Sequence, residues 1–221
     1  MNRDEVWQTI DLERSTLADL FDELSDQEWA TPSLCAGWRV RDVAAHLTLS
    51  QTGLLTAAYW LLKARGDLNR MIHDSAIQQA ELPVRNYGAM LRGMVGSRKK
   101  APGITDLEPL LDVLVHGQDI AVPLGRTRPM PTPAAAAVAT RVWTMGRPFW
   151  AQRRLTGLEL VATDCSWSAG RGRRVEGPIA AILLLLTGRD AALSRLSGDG
   201  TAELQGRLSS PPTTSARHDH P

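Results

Sequence analysis

The sequence predicts a mainly α protein, a bundle of helices followed by a small α+β segment, and three observations predict it. Apolar residues recur at helical period through most of the first 150 residues, the joins between these stretches are mostly short, and near Gly157 the pattern changes to partial alternation. The matching division is a helical bundle over 1–150, a small α+β domain over 151–208 and a disordered tail over 209–221 that carries His218 and His220. No internal repeat is visible.

Residues 3–24 read as an amphipathic helix, with Val6, Ile10, Leu17, Leu20, Phe21 and Leu24 on one face and a gap in the stripe at Glu13. Ser25, with Glu28 three residues on, is a capping-box signature for a short following turn. Residues 31–38 form a Pro- and Gly-containing loop whose Leu34, Cys35 and Trp38 should pack against the bundle. One long helix is expected from about Val40 to Ala64, with Gly53 as a weak point. Residues 68–80 are polar and carry no clear period. A helix over 84–98 has Tyr87, Met90, Leu91 and Met94 as its stripe, and Pro102-Gly103 follows as a stop. Another covers about Leu107 to Val122, with Pro109 tolerated in its first turn, and Thr132-Pro133 opens a further helix through Met145. In the last segment, Leu158 to Thr163 reads as a strand, 169–172 as a turn, and Arg173 to Glu176 as the strand that returns. Arg171, Arg173 and Arg174 should line its solvated edge. A short apolar helix over 178–187 ends at Gly188.

Of the 221 residues, 43% are apolar, enough for a sizeable core. With 25 basic and 24 acidic side chains the net charge is +1, which gives no electrostatic reason to expect nucleic acid or a membrane surface as partner. Two cysteines cannot build a disulfide framework, the first residues lack the apolar run of a signal peptide, and the longest apolar run, Ile179 to Leu186, is too short to span a bilayer. A cytoplasmic location is the expectation.

Chemistry concentrates on two histidines inside apolar helices, His46 and His116. Asp112 and His116 are four residues apart, so a carboxylate and an imidazole project from one helix side and can reach a common ion. His46 is the candidate third ligand, and two histidines with one carboxylate leave a coordination position open. The same residues also fit a hydrogen-bonded i, i+4 pair and a core histidine satisfied by a carbonyl. Asp119, near His116, fits either an acceptor for an imidazole N–H or a capping carboxylate. Cys35 reads better as a packed thiol than as a nucleophile or fourth ligand.

Residues 31–47, TPSLCAGWRVRDVAAHL, together with 112–121, DVLVHGQDIA, resemble the mycothiol-dependent maleylpyruvate isomerase family, part of the larger DinB-like group of metal-binding four-helix bundles. Val175-Glu176-Gly177-Pro178 and Leu186-Thr187-Gly188-Arg189 look like that family's C-terminal domain, so the resemblance covers roughly 5–207. It implies a DinB-like four-helix bundle with a divalent metal, usually zinc, on His46, Asp112 and His116, and it favours His46 over His73 as third ligand. It implies mycothiol as thiol cosubstrate acting on a small electrophile, by S-transfer ahead of isomerisation. Arg189 is then a candidate for an anionic substrate or cofactor carboxylate, or else a cap on its own helix. A non-catalytic metal- or ligand-binding bundle and a metal-assisted hydrolase are the competing functions. A homodimer stays open, because nothing in the sequence says which apolar faces are covered.

Overall fold

Side-chain caps decide where the first helices begin. Asn2 accepts from the Glu5 amide while Glu5 reaches back to the Asn2 amide, and this reciprocal box starts α1 (Arg3–Glu23). Ser25 and Glu28 repeat the arrangement at α2 (Asp26–Ala30). The computed structural model describes residues 1–51, 54–101 and 103–209, and the chain divides into two compact units, one ending at Arg141 and the other beginning at Val142. Gly53, Pro102 and the expected tail beyond Ser209 lie outside the described residues.

The first unit continues with α3 (Val40–Leu47), α4 (Leu54–Lys63), α5 (Leu68–Gln79), α6 (Arg85–Arg92), α7 (Leu107–Ala121) and α8 (Thr132–Thr144), which runs across the boundary. α1 packs on α6 and α7, and α3 packs on α7 and α6, which closes a ring of helices; α5 lies against α3, and α4 against α5. Two glycines permit the closeness. A Cβ at Gly88 on α6 would stand 2.5 Å from Oδ1 of Asp22 and 3.2 Å from the Ala18 carbonyl of α1. Gly117 on α7 would likewise meet Nε of Arg128 at 2.8 Å.

The gap in the α1 stripe has a physical cause. Glu13 is buried and ion-paired to Arg128, whose guanidinium also donates to the Thr16 hydroxyl at 2.8 Å. Burial raises the Glu13 carboxyl and Arg128 partly offsets it. Arg14, beside it, is also buried.

The expected continuous helix over 40–64 is not formed. Thr48 turns its hydroxyl back onto the Ala45 carbonyl at 2.7 Å, the Leu49 amide donates to the His46 carbonyl at 2.9 Å, and the chain leaves helical geometry there before α4 starts at Leu54. A hydroxyl bonded back onto its own helix weakens that helix only slightly, as Thr9 and Thr16 do inside the unbroken α1, so the Thr48 bond accompanies the break and does not by itself cause it. The polar stretch 68–80 is helical, as α5. The expected helix over 84–98 stops at Arg92, and turns continue through Gly96 at φ +78°.

The second unit contains α9 (Ala151–Arg154), β1 (Leu158–Ala162), β2 (Ser168–Gly170), β3 (Arg173–Gly177), α10 (Ile179–Leu186), a 3-10 turn at Leu193–Arg195 and α11 (Thr201–Ser209). Its strand order is β2-β1-β3, with β2 antiparallel and β3 parallel to β1. Arg173–Glu176 therefore does not return as the second arm of a hairpin; Leu160 faces Val175 across a parallel ladder. The chain crosses the start of β1 between β2 and β3, where a Cβ on Gly172 would overlap the Gly157 carbonyl and φ is +130°. Only glycine fits that backbone without strain. Arg174 pairs with Glu176 at 2.9 Å on the exposed edge. α10 is buried at Ile179 and from Ala181 through Leu186, and it ends at Gly188 with φ +85°.

Gly172→Ala is expected to destabilise the second unit by about 1–3 kcal/mol, the usual cost of a strained backbone position, with the overlap adding to it. A lowered urea midpoint in the substituted protein checks this, and an unchanged midpoint contradicts the crossing geometry.

Candidate metal centre

The break after Leu47 leaves His46 in the last turn of α3, and α7 carries Asp112 and His116 one turn apart. The packing of α3 on α7 brings the three side chains together. One ligand atom each from His46, Asp112 and His116 lies within 4.8 Å of the others, and the two imidazole rings meet edge-on with centroids 4.9 Å apart. The three residues expected from the sequence thus converge, each only partly covered by protein. His73 does not join them. It is 54% exposed on α5 and lies 3.4 Å from Asp74.

Asp119 orients the centre. Its Oδ2 lies 2.8 Å from Nδ1 of His116, and its side chain is 0% exposed against 15% for His116. With Nδ1–H donated to Asp119, Nε2 of His116 is the nitrogen a cation could take, in place of the proton that the charged ring carries there. The thiol of Cys35 donates to the same Oδ2 at 3.1 Å. The Leu34 amide donates to the Asp119 backbone carbonyl at 3.2 Å, so the loop before α3 is pinned to α7 at this residue. Trp38 closes the loop against the ring of His46, with centroids 5.5 Å apart.

Electrostatics separate the two histidines. Burial pushes His46 down to about 3; the neighbouring His116 lowers it further and Asp119 opposes. At neutral pH its ring is uncharged, and one of its two nitrogens offers a lone pair. His116 is raised to about 10: burial acts downward, and the hydrogen bonds to Asp119 and Cys35 with the charge of Asp119 overcome it. Arg14 brings a buried positive charge that acts on Asp112 while its Nη1 donates to the Met94 carbonyl at 2.9 Å. Burial lowers the Arg14 guanidinium, and Asp11 and Asp112 counter that. Arg14 was hidden in the sequence, although one signal existed. It interrupts the apolar series Trp7, Ile10, Leu17, Phe21 at a position where helical period demands a core residue.

His46 and Asp112 also line a cavity of about 200 Å³ whose other walls include Leu49, Trp60, Met71, Ile72 and Ile104. A few polar groups in an apolar enclosure is the usual composition of a small-molecule site. The donor set, two imidazoles and a carboxylate with one imidazole held neutral and the other oriented by a carboxylate, fits a divalent cation with an open position. Arg189 belongs to the second unit, where its Nη1 donates to the Thr187 carbonyl at 2.7 Å just beyond α10. That contact is the helix-terminal one.

Comparison with known proteins follows the same line. Residues 10–101 match a family model described as the mycothiol maleylpyruvate isomerase N-terminal domain. A crystal structure of the mycothiol-dependent maleylpyruvate isomerase shares the fold at a TM-score of 0.65 and 17% identity, over 91% of this chain and 94% of that one. A histidine-to-alanine mutant of that enzyme aligns at a TM-score of 0.64, again with 17% identity and coverage of 91% and 94%. No curated protein matches the chain.

The two histidines set opposite limbs of pH-dependent stability in the metal-free protein. His46 falls from 6.5 to about 3 on folding, so between those values the unfolded chain holds the extra proton and stability rises with pH. His116 rises from 6.5 to about 10, so its contribution is complete below 6.5 and is lost as pH climbs through 10. Urea denaturation of metal-free protein should show both limbs, and Asp119→Asn should flatten the alkaline one. An alkaline limb that survives Asp119→Asn unchanged would contradict the assigned pair.

Proposed function

We propose that this chain, whose residues 10–101 match a model of the mycothiol maleylpyruvate isomerase N-terminal domain, is a divalent-metal-dependent thiol enzyme that uses mycothiol on a small electrophilic substrate. The observation that carries the reading is the convergence of His46, Asp112 and His116, two of which line an apolar cavity. His46, Asp112 and His116 would hold the cation, with zinc the expected metal. Bound there, a divalent cation stabilises a thiolate near neutral pH.

The chain's own groups do the rest. Asp119 fixes the ring plane and tautomer of His116, and Trp38 packs against the ring of His46. Leu49, Trp60, Met71 and Ile72 provide walls that exclude water from a reactive sulfur. A thiolate in such a cavity can add to an activated double bond, and elimination after rotation yields the isomer. It can also displace a leaving group and yield an S-conjugate. Both outcomes need the same sulfur nucleophile, so the site supports S-transfer and isomerisation alike, and substrate structure decides between them. Arg189, whose Nη1 donates to the Thr187 carbonyl just beyond α10, is the candidate for the carboxylate of an anionic substrate or of the thiol.

The test has two readouts. Metal analysis after zinc loading should find one zinc per wild-type chain and none above background in His46→Ala or Asp112→Ala. Titration of mycothiol with metal-loaded protein, followed by thiolate absorbance, should show a thiol pKa lowered by at least about one unit. Equal metal in wild type and variants removes the site. An unshifted thiol with the metal in place removes the thiol chemistry and leaves a non-catalytic metal-binding bundle or a hydrolase, the latter recognised by ester turnover without added thiol.

A further inference from the structure

One imidazole in this centre faces two sets of donors. Besides the group formed with His46 and Asp112, His116 belongs to a second group with Cys35 and Asp119, again with one ligand atom from each within 4.8 Å of the others. Nδ1 of His116 lies 2.8 Å from Oδ2 of Asp119 and 3.8 Å from Sγ of Cys35, and Sγ lies 3.1 Å from Oδ2. A tetrahedral cation with bonds of about 2.0–2.3 Å to nitrogen, oxygen and sulfur keeps its donors about 3.3–3.6 Å apart. The three observed separations bracket that range. The two short ones are hydrogen bonds, whose protons a cation would replace, and they open by about 0.2–0.8 Å to admit a zinc-sized ion and by more for the larger Cd²⁺. For the zinc-sized ion the longer one closes by a similar amount.

The donors are also held in place independently of any ion. The Cys35 amide donates to the Ser33 hydroxyl at 3.1 Å, the Leu34 amide to the Asp119 carbonyl at 3.2 Å, and the Ser33 amide to the Trp38 carbonyl at 2.9 Å. Cys35 is half-buried as a residue.

We propose that Cys35, Asp119 and Nδ1 of His116 form a second cation position in this protein, one that bears a thiolate and takes thiophilic cations such as Cd²⁺. Ligand softness separates it from its neighbour. The His46–Asp112–His116 group has no sulfur and suits borderline cations, whereas a thiolate favours soft ones. Binding releases the thiol proton and the Nδ1 proton to the buffer, while Asp119 remains a carboxylate. The position shares His116 with the first group through the other ring nitrogen, but it uses neither His46 nor Asp112 nor any thiol cosubstrate, so the two can be tested apart.

Titration of Cd²⁺ alone into the metal-free full chain, followed by the ultraviolet sulfur-to-cadmium charge-transfer band, tests it. The band should grow to one equivalent in wild type, persist in His46→Ala and Cys165→Ser, and disappear in Cys35→Ser. Far-ultraviolet circular dichroism and zinc binding of Cys35→Ser report whether that variant has kept the fold. No band in wild type, a band that survives Cys35→Ser, or a band lost in His46→Ala would each overturn the proposal. A wild-type chain that shows the cadmium band yet binds no zinc keeps this position and rejects only the reading of the first one.

Discussion

The Asp119 carboxylate is fully buried, and a buried carboxylate without donors is among the costliest groups a protein can hold. Here it accepts from the His116 ring and the Cys35 thiol, and the backbone carbonyl of the same residue accepts from Leu34. The donors come from α7 itself and from the loop ahead of α3. Satisfying the carboxylate therefore fixes where that loop runs, and the loop fixes where α3 begins. The position of His46 relative to α7 follows. Removing the carboxylate would release a ring orientation and a thiol together, while the Leu34 bond to the backbone carbonyl would remain.

Charge in the first unit is arranged around the same helices. Glu13 and Arg128 satisfy each other inside the bundle, and Arg14, one residue on, sends its guanidinium the other way, toward the Met94 carbonyl and the field of Asp112. Two adjacent charged residues on α1 are thus each spent on a different neighbour. The close approach of α6 to α1, possible because Gly88 has no side chain, brings the Met94 carbonyl within reach of Arg14. Glycine in a helix is costly by propensity, and here it is offset by packing.

Much of this was legible before any coordinates. The Asp112–His116 pair follows from the helical period alone, because residues four apart share a face. His46 could be read as ligand-competent, and the loop before it made it the preferred third donor. Other features could not be read. The break after Leu47 is one such feature, since the apolar pattern runs on through it. The parallel pairing of β3 is equally silent, since alternation within 173–177 says which faces are buried and nothing about which side of β1 the strand will join. Asp119 fitted two roles equally in sequence, and only the burial of its side chain distinguishes them. Arg14 shows the converse, a residue whose helical position announced burial while its charge argued for solvent.

The cavity beside His46 and Asp112 sets a limit of another kind. Its volume of about 200 Å³ is small beside the roughly 300–1,000 Å³ of ordinary small-molecule sites. A compartment that small admits a short acid or the sulfur end of a larger carrier, and it leaves the remainder of the carrier outside. Selection would then be divided in space. Shape and apolar contact inside would choose the reacting fragment, and the protein surface around the opening would have to recognise the handle that delivers it.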